Sequence, residues 1–241
     1  MNKSFYKDFI KIPFYRNHAY MIPFVGDNYI STEHKKLLLI GESHYLLKIS
    51  SVHHDAYNWY YGKPHLTSGN NSEENNCTPA KTWGEGRNTY FCINVQESLC
   101  NATRIKESWN SVAFYNYFLR PANFGKGIND LWTTETSYRP KALDIEFAVK
   151  NLIDVLKILK PDLIVFLSKM ALDCTEQFFP IWFKDELCDF WEWTKNNGIS
   201  DYIYTNHPST THWLKPMNKN YKKANGKTSK DFFEEWIKQN W

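Results

Sequence analysis

The amino-acid sequence predicts an α/β fold in which a parallel β-sheet is covered by helices on both faces. Three observations predict it. Short apolar runs near 37–41, 112–118, 163–167 and 202–205 have the continuous hydrophobicity of strands buried on both sides. Segments between them carry apolar residues at helical spacing. The alternation of the two kinds of segment implies crossovers, and hence parallel pairing.

Residues 1–36 mix aromatic and polar side chains and read as an N-terminal extension packed on a single domain spanning 1–241. The first strand, Leu37 to Ile40, is stopped by Gly41. Residues 46–90 are polar, with SGNNSEENN at 68–76, and read as a loop-rich excursion. A helix is expected from Tyr90 to Ile105, then the strand VAFYNYF at 112–118, then a loop over 119–141 rich in Pro, Gly, Asn and Thr. Leu143, Phe147, Leu152, Leu156 and Leu159 give a helix over 142–159 that Pro161 ends. The strand LIVFL at 163–167 precedes a helix from Lys169 to Phe178. An amphipathic stretch over 183–196 ends at Gly198, the strand at Tyr202 to Thr205 runs into NHPS, and a closing helix covers Ser229 to Trp241.

In such a sheet the ligand lies beyond the carboxyl ends of the strands. Those ends carry Glu42–Tyr45, Asn116–Pro121, Ser168 and His207–Ser209, so the polar residues gather where a site belongs.

Composition narrows the class. Of 241 residues 42% are hydrophobic and 23% charged, a normal globular balance. Aromatic residues reach 17%, which suits a filled core and also base stacking. A net charge of +3 is too small to argue for nucleic acid from the total. No stretch approaches the ~20 apolar residues of a membrane helix. The five cysteines, Cys77, Cys92, Cys100, Cys174 and Cys188, are scattered and form no C-x-x-C pair. They read as reduced thiols, and the expected location is the cytoplasm.

Five segments in order resemble the uracil-DNA glycosylase superfamily over most of 37–214. GESHY at 41–45 stands where that family has GQDPY or GExPG. TYFCINVQESL at 89–99 is similar to the segment that supplies a base-stacking aromatic. FYNYFLRPA at 114–122 resembles TNVVKCRPP with one residue fewer. LKILKPDLIVFLSKMAL at 156–172 is similar to a stretch ending VIVxLGxxA, and HPS at 207–209 matches the second motif. The resemblance implies a three-layer α/β/α fold with four parallel strands in the order 2-1-3-4. It also implies hydrolysis of the N-glycosidic bond of uracil or another modified base in DNA, with Glu42 and His207 as catalytic residues.

The remaining roles follow from the same resemblance. Phe91, or its neighbour Tyr90, would stack on a base taken out of the helix. Asn116 would pair with the base edge through its amide. Tyr45 would exclude a thymine methyl, and Ser43 and Ser209 would line the base site. His207 would stabilise the negative charge on the leaving base. Glu42 would orient water and stabilise the cationic sugar. Trp213 and Leu214 stand where the family has an apolar wedge for the minor groove. Lysines 215, 219, 222, 223, 227 and 230 follow without an intervening acid, and Lys222 and Lys223 are the chosen phosphate contacts.

The departures from the family are specific. Ser43 replaces the motif's Asp, His44 its Pro, and Leu119 the Cys of the iron–sulfur branch, so no cofactor or metal is expected. The expected partner is DNA, single-stranded DNA included, or a free nucleobase or nucleotide, and the expected state is a monomer. A non-catalytic nucleic-acid- or nucleotide-binding module on the same fold is the alternative. A metal-dependent hydrolase built on His53, His54 and Asp55 ranks last, because adjacent histidines on a strand do not reach one ion and no H-E-x-x-H spacing exists.

Overall fold

The computed structural model describes residues 2–47, 49–68, 72–84, 89–123, 142–186, 188–209 and 211–241. The loop read at 119–141 therefore lies outside the described residues from 124 onward, as do 48, 69–71 and 85–88 of the polar excursion.

The sheet is five-stranded and mixed, in the order β1-β3-β2-β4-β5. Its strands are β1 (Phe24–Val25), β2 (Leu37–Leu46), β3 (Val112–Asn123), β4 (Leu163–Phe166) and β5 (Asp201–Tyr204). The pairs β3–β2, β2–β4 and β4–β5 are parallel, whereas β1 pairs antiparallel with β3. The expectation of four all-parallel strands is thus corrected. The two residues of β1 belong to the N-terminal segment, which adds an edge strand as well as packing on the domain. Two apolar residues carry no period, so nothing local marked them.

The helices α1 (Tyr6–Phe9) and α2 (Pro13–Asn17) lie in that segment. In the excursion stand α3 (Ala56–Tyr61) and α4 (Glu73–Asn76). Then follow α5 (Tyr90–Thr103), α6 (Ala142–Leu159), α7 (Lys169–Trp182), α8 (Phe190–Asn196) and α9 (Ser229–Asn240). The amphipathic stretch at 183–196 resolves into a short 3₁₀ turn at Lys184–Glu186 and α8, which Asp189 caps.

Alternation along β3 shows how both faces are covered, since successive side chains point to opposite sides. Phe114 meets Phe91 of α5 with ring centroids 5.8 Å apart. Tyr117, on the other face, lies beside Thr175 and Cys174 of α7. The apolar runs of β2 and β4 are fully buried, as two covered faces require.

Both long strands run past their expected ends. β2 continues from Gly41 to Leu46, and β3 continues past Phe118 to Asn123. Their register shifts on the way: Ser43 faces Phe118, but Tyr45 faces Ala122. The bulge so formed holds Arg120, whose guanidinium is buried against Asp144. The described part of the excursion is also no loose loop. Trp59, Tyr60, Cys77 and Trp83 are buried in the common core, and Tyr60 stacks on Phe147 of α6 at 4.2 Å. No helix among the described residues is long and apolar enough to cross a membrane.

Candidate functional site

The site is built from the carboxyl halves of β2 and β3, the residues just after β4 and β5, and the first turn of α5. Thr89 caps α5 by accepting the N–H of Cys92, and this turn presents Phe91 to the sheet. Phe91 then packs between Phe114 of β3 and the ring of His207, 5.3 Å away. It is 9% exposed, so its outer edge is what a ligand would meet. Tyr90, the neighbouring choice for stacking, stands out into solvent at 77% exposure.

Several bonds fix His207 after β5. Asn94 of α5 donates to the carbonyl of Pro208 at 2.6 Å, and Asn206 donates its backbone N–H to Ser229 Oγ at 3.0 Å. The backbone N–H of Ser209 donates to His207 Nδ1 at 3.4 Å, and Ser209 Oγ lies 2.8 Å from the same nitrogen. A backbone N–H only donates, so Nδ1 carries the lone pair and Nε2 carries the proton. Burial lowers the imidazole pKa to about 4. His207 is therefore a neutral ring with an Nε2–H donor near neutral pH.

Glu42 lies where β2 passes the start of α7. Ser168 occupies the N-cap position of α7 but makes no capping bond. Its hydroxyl donates instead to Glu42 Oε2 at 2.6 Å. Burial raises the Glu42 carboxyl above its ordinary range, and the Ser168 bond draws it partly back. Tyr45, further along β2, is half-buried, and its phenol is pushed up to about 12 by burial and by the charge of Glu42.

Asn116 faces Gly41 directly across β2–β3. It is 6% exposed, and its amide is already engaged: Asn116 Nδ2 and His44 Nδ1 are 3.2 Å apart. His44 in turn lies 3.2 Å from the carbonyl of Asn76, at the end of α4. Asn116 is thus not poised alone at a strand end, as its position in the sequence implied. Ser43 is buried at 5% exposure, opposite Phe118.

The expected nucleic-acid contacts divide. Trp213 is not a wedge: it is 1% exposed and packs on Phe233 of α9. Leu214 beside it is 66% exposed. Lys223 is not free for phosphate, because its ammonium binds Asp201 at 2.9 Å and the Tyr202 carbonyl at 3.2 Å. Lys227 pairs with Glu235, and Lys230 with Glu234. Lys215, Lys219 and Lys222 remain exposed.

No protein-family model matches the chain, and neither does any curated protein or solved structure. The contacts from His207 to Asn116 are continuous: His207 touches Phe91, Phe91 touches Phe114, and Phe114 and Asn116 both border Gly41, whereas Glu42 is tied instead to Ser168 at the start of α7. A neutral imidazole donor, a part-buried carboxylate and a buried amide are the groups available to stabilise an anion, hold water and read a polar edge.

Two open concavities lie elsewhere. One of about 560 Å³ is lined by residues such as Lys11, Pro13, Asp154 and Lys157, and the other of about 350 Å³ by His34, Asp162, Ser200 and Trp241. Asp162 and Ser200 precede β4 and β5, so the second lies at the amino-terminal ends of the strands, away from His207. Neither is lined by a candidate site residue.

Sequence reasoning did not single out Asn94 or the Ser168–Glu42 bond, named His44 only as a departure from the motif, and read Gly41 as a strand stop. The glycine is required for space. A Cβ at Gly41 would lie 2.1 Å from Asn116 Oδ1 and 3.2 Å from Phe114 Cε2. Gly41→Ala is expected to displace the Asn116 amide and cost about 1–3 kcal/mol, as overpacking does. Urea unfolding with the Asn116 side-chain amide resonances checks this. An unchanged midpoint with unmoved resonances would contradict it.

Proposed function

We propose that this chain is a glycosylase of the uracil-DNA glycosylase type, hydrolysing the N-glycosidic bond of uracil or another modified base in DNA. One observation carries the reading: His207, locked by Ser209 as a neutral Nε2–H donor, packs against Phe91 beyond the end of β5. The parallel order β3-β2-β4-β5 supports it, with β1 as an added edge. On this reading those four strands, taken in chain order, correspond to the 2-1-3-4 order that the resemblance implies.

On this reading the bond from C1′ of the sugar to the base nitrogen breaks, and its electron pair leaves with the base. The Nε2–H of His207 strengthens its bond to the base as negative charge develops there, which lowers the barrier selectively. Water adds to C1′. Glu42, aligned by Ser168, holds that water and takes its proton, and the base picks up a proton on release. Phe91 supplies the stacking face, Asn116 the polar readout, and Tyr45, Ser43 and Ser209 the surrounding wall. Leu214 fills the wedge position, with Lys215, Lys219 and Lys222 toward the phosphates. DNA is the partner, the active unit is a monomer, and the setting is the cytoplasm.

A second reading is favoured by a different observation. Asn116, 6% exposed, already bonds His44, and an engaged amide suits a chain that kept the fold for binding without cleavage.

A cleavage screen separates the two. Single- and double-stranded oligonucleotides carrying uracil, hypoxanthine, xanthine or an oxidised base are incubated with the protein and then treated with alkali. Strand breakage at one modified base is the expected result. DNA binding with no breakage on any substrate transfers the assignment to the binding module. The lysines give a graded check. Lys222→Glu is expected to weaken DNA binding on every sequence and lower the salt slope by about one. Lys223→Glu instead opposes Asp201 and is expected to lower the unfolding midpoint. Equal effects of the two on binding would remove this division of roles.

A further inference from the structure

The notable departure from the family at 41–45 is His44, and its surroundings define a role for it. Two polar groups converge on one nitrogen: the carbonyl of Asn76 and the amide of Asn116 each lie 3.2 Å from His44 Nδ1. A carbonyl oxygen only accepts, so a hydrogen bond to it needs a proton on Nδ1. With a lone pair there instead, two electron-rich atoms would face each other in a buried place. His44 is 4% exposed, so water cannot relieve that contact.

The consequence falls on Asn116. If Nδ1 bears the proton, the Asn116 atom facing it must be the acceptor, Oδ1, because two N–H groups cannot bond each other. Oxygen and nitrogen of a side-chain amide are distinguished by such a network. The other end of the amide, placed as Oδ1 over Gly41 where a Cβ would lie 2.1 Å away, is then the NH₂ group, the reverse of the assignment in which Nδ2 faces His44. Gly41 provides the space, and His44 fixes which end of the amide fills it.

We infer that His44 is a specificity-positioning residue: its Nδ1–H, shared between the Asn76 carbonyl and Asn116 Oδ1, fixes the Asn116 amide so that only its NH₂ group is offered to a ligand. The inference rests on the proposed glycosylase reading for its ligand and on the two 3.2 Å contacts for its geometry. An NH₂ group donates and does not accept. It matches a base presenting a carbonyl oxygen at that point and mismatches one presenting an amino group. The discrimination is set on the protein side by α4, because Asn76 holds the imidazole proton in place. The Asn116 amide is thereby tied, through His44, to α4 of the excursion.

The test has two arms. In the first, imidazole ¹⁵N shifts of the intact protein report which nitrogen of His44 is protonated. Nδ1 protonated is expected, and an unprotonated Nδ1 overturns the inference whatever the protein binds. The second arm measures binding of single-stranded oligonucleotides with one uracil or one cytosine at the same position. Wild type is expected to prefer uracil by about tenfold, the worth of one hydrogen bond made or mismatched. His44→Phe, which keeps the ring but not the donor, should bring the preference to within about twofold by the same measure. His44→Asn, whose amide can donate from the Nδ1 position, should restore it. Retention of the wild-type preference in a folded His44→Phe protein overturns the inference. If neither oligonucleotide binds, the glycosylase reading falls, while the ¹⁵N measurement still decides the state of His44.

Discussion

His207→Ala is expected to slow single-turnover cleavage by about 100-fold or more, the scale seen when one anion-stabilising donor is removed. The direction follows from the geometry. Ser209 fixes the proton on Nε2, and burial keeps the ring neutral down to about pH 4. A neutral donor aimed at a base gains strength only as the glycosidic bond breaks, so its loss falls on the rate more than on binding. Binding to an uncleavable analogue should therefore change much less. Glu42→Gln should slow the step without abolishing base binding. The pH profile separates the two residues. Glu42 must be ionised to take the proton from water, so the rate should fall with decreasing pH through the raised pKa of Glu42. His207 does not titrate in that window, since its pKa lies lower, at about 4. If His207→Ala and Glu42→Gln both cleave at the wild-type rate, the assignment of this site is wrong.

What could be read from the chain depended on how local each cause was. The runs at 37–41 and 163–167 were legible because a strand covered on both faces must be apolar without interruption, and these residues are fully buried. Gly41 was misread because a glycine after an apolar run signals a turn. Its actual cause, the Asn116 amide lying across it, comes from a strand some 75 residues on, and an isolated strand glycine can mark just such an approach. Ser168 looks like any helix cap. Only the fold brings it to Glu42, 126 residues away, where its hydroxyl leaves the helix for the carboxylate. The lysine run lacked local acids, but Asp201, Glu234 and Glu235 reach back to it from β5 and α9. Trp213 is covered by Phe233 of α9 in the same way. Residue type and order at the strand ends were thus readable, and the partner of each side chain was not.

The largest stability effect is expected at a place with no part in the chemistry. Arg120 and Asp144 are 2% and 1% exposed. The guanidinium donates to both carboxylate oxygens, at 2.8 and 2.6 Å, and to the His53 carbonyl at 2.9 Å. Tyr60 adds its hydroxyl to Asp144 at 2.8 Å. The cluster joins the bulge of β3, the first turn of α6 and the excursion. Asp144 also sits at the amino-terminal turn of α6, where a negative charge is favoured. Asp144→Ala leaves a buried guanidinium with only carbonyl and hydroxyl partners and is expected to cost about 3–5 kcal/mol, the range for breaking a buried pair. That is a large part of the ~5–15 kcal/mol that holds a typical domain folded. Removing both charges should cost less than removing one, because the penalty is the uncompensated charge rather than the missing attraction. Arg120→Met combined with Asp144→Leu should therefore unfold at a higher urea concentration than Asp144→Ala alone. A double-mutant cycle by urea denaturation measures the difference. Additive losses would mean that the two groups do not depend on each other, and that the bulge of β3 is held by its apolar neighbours alone.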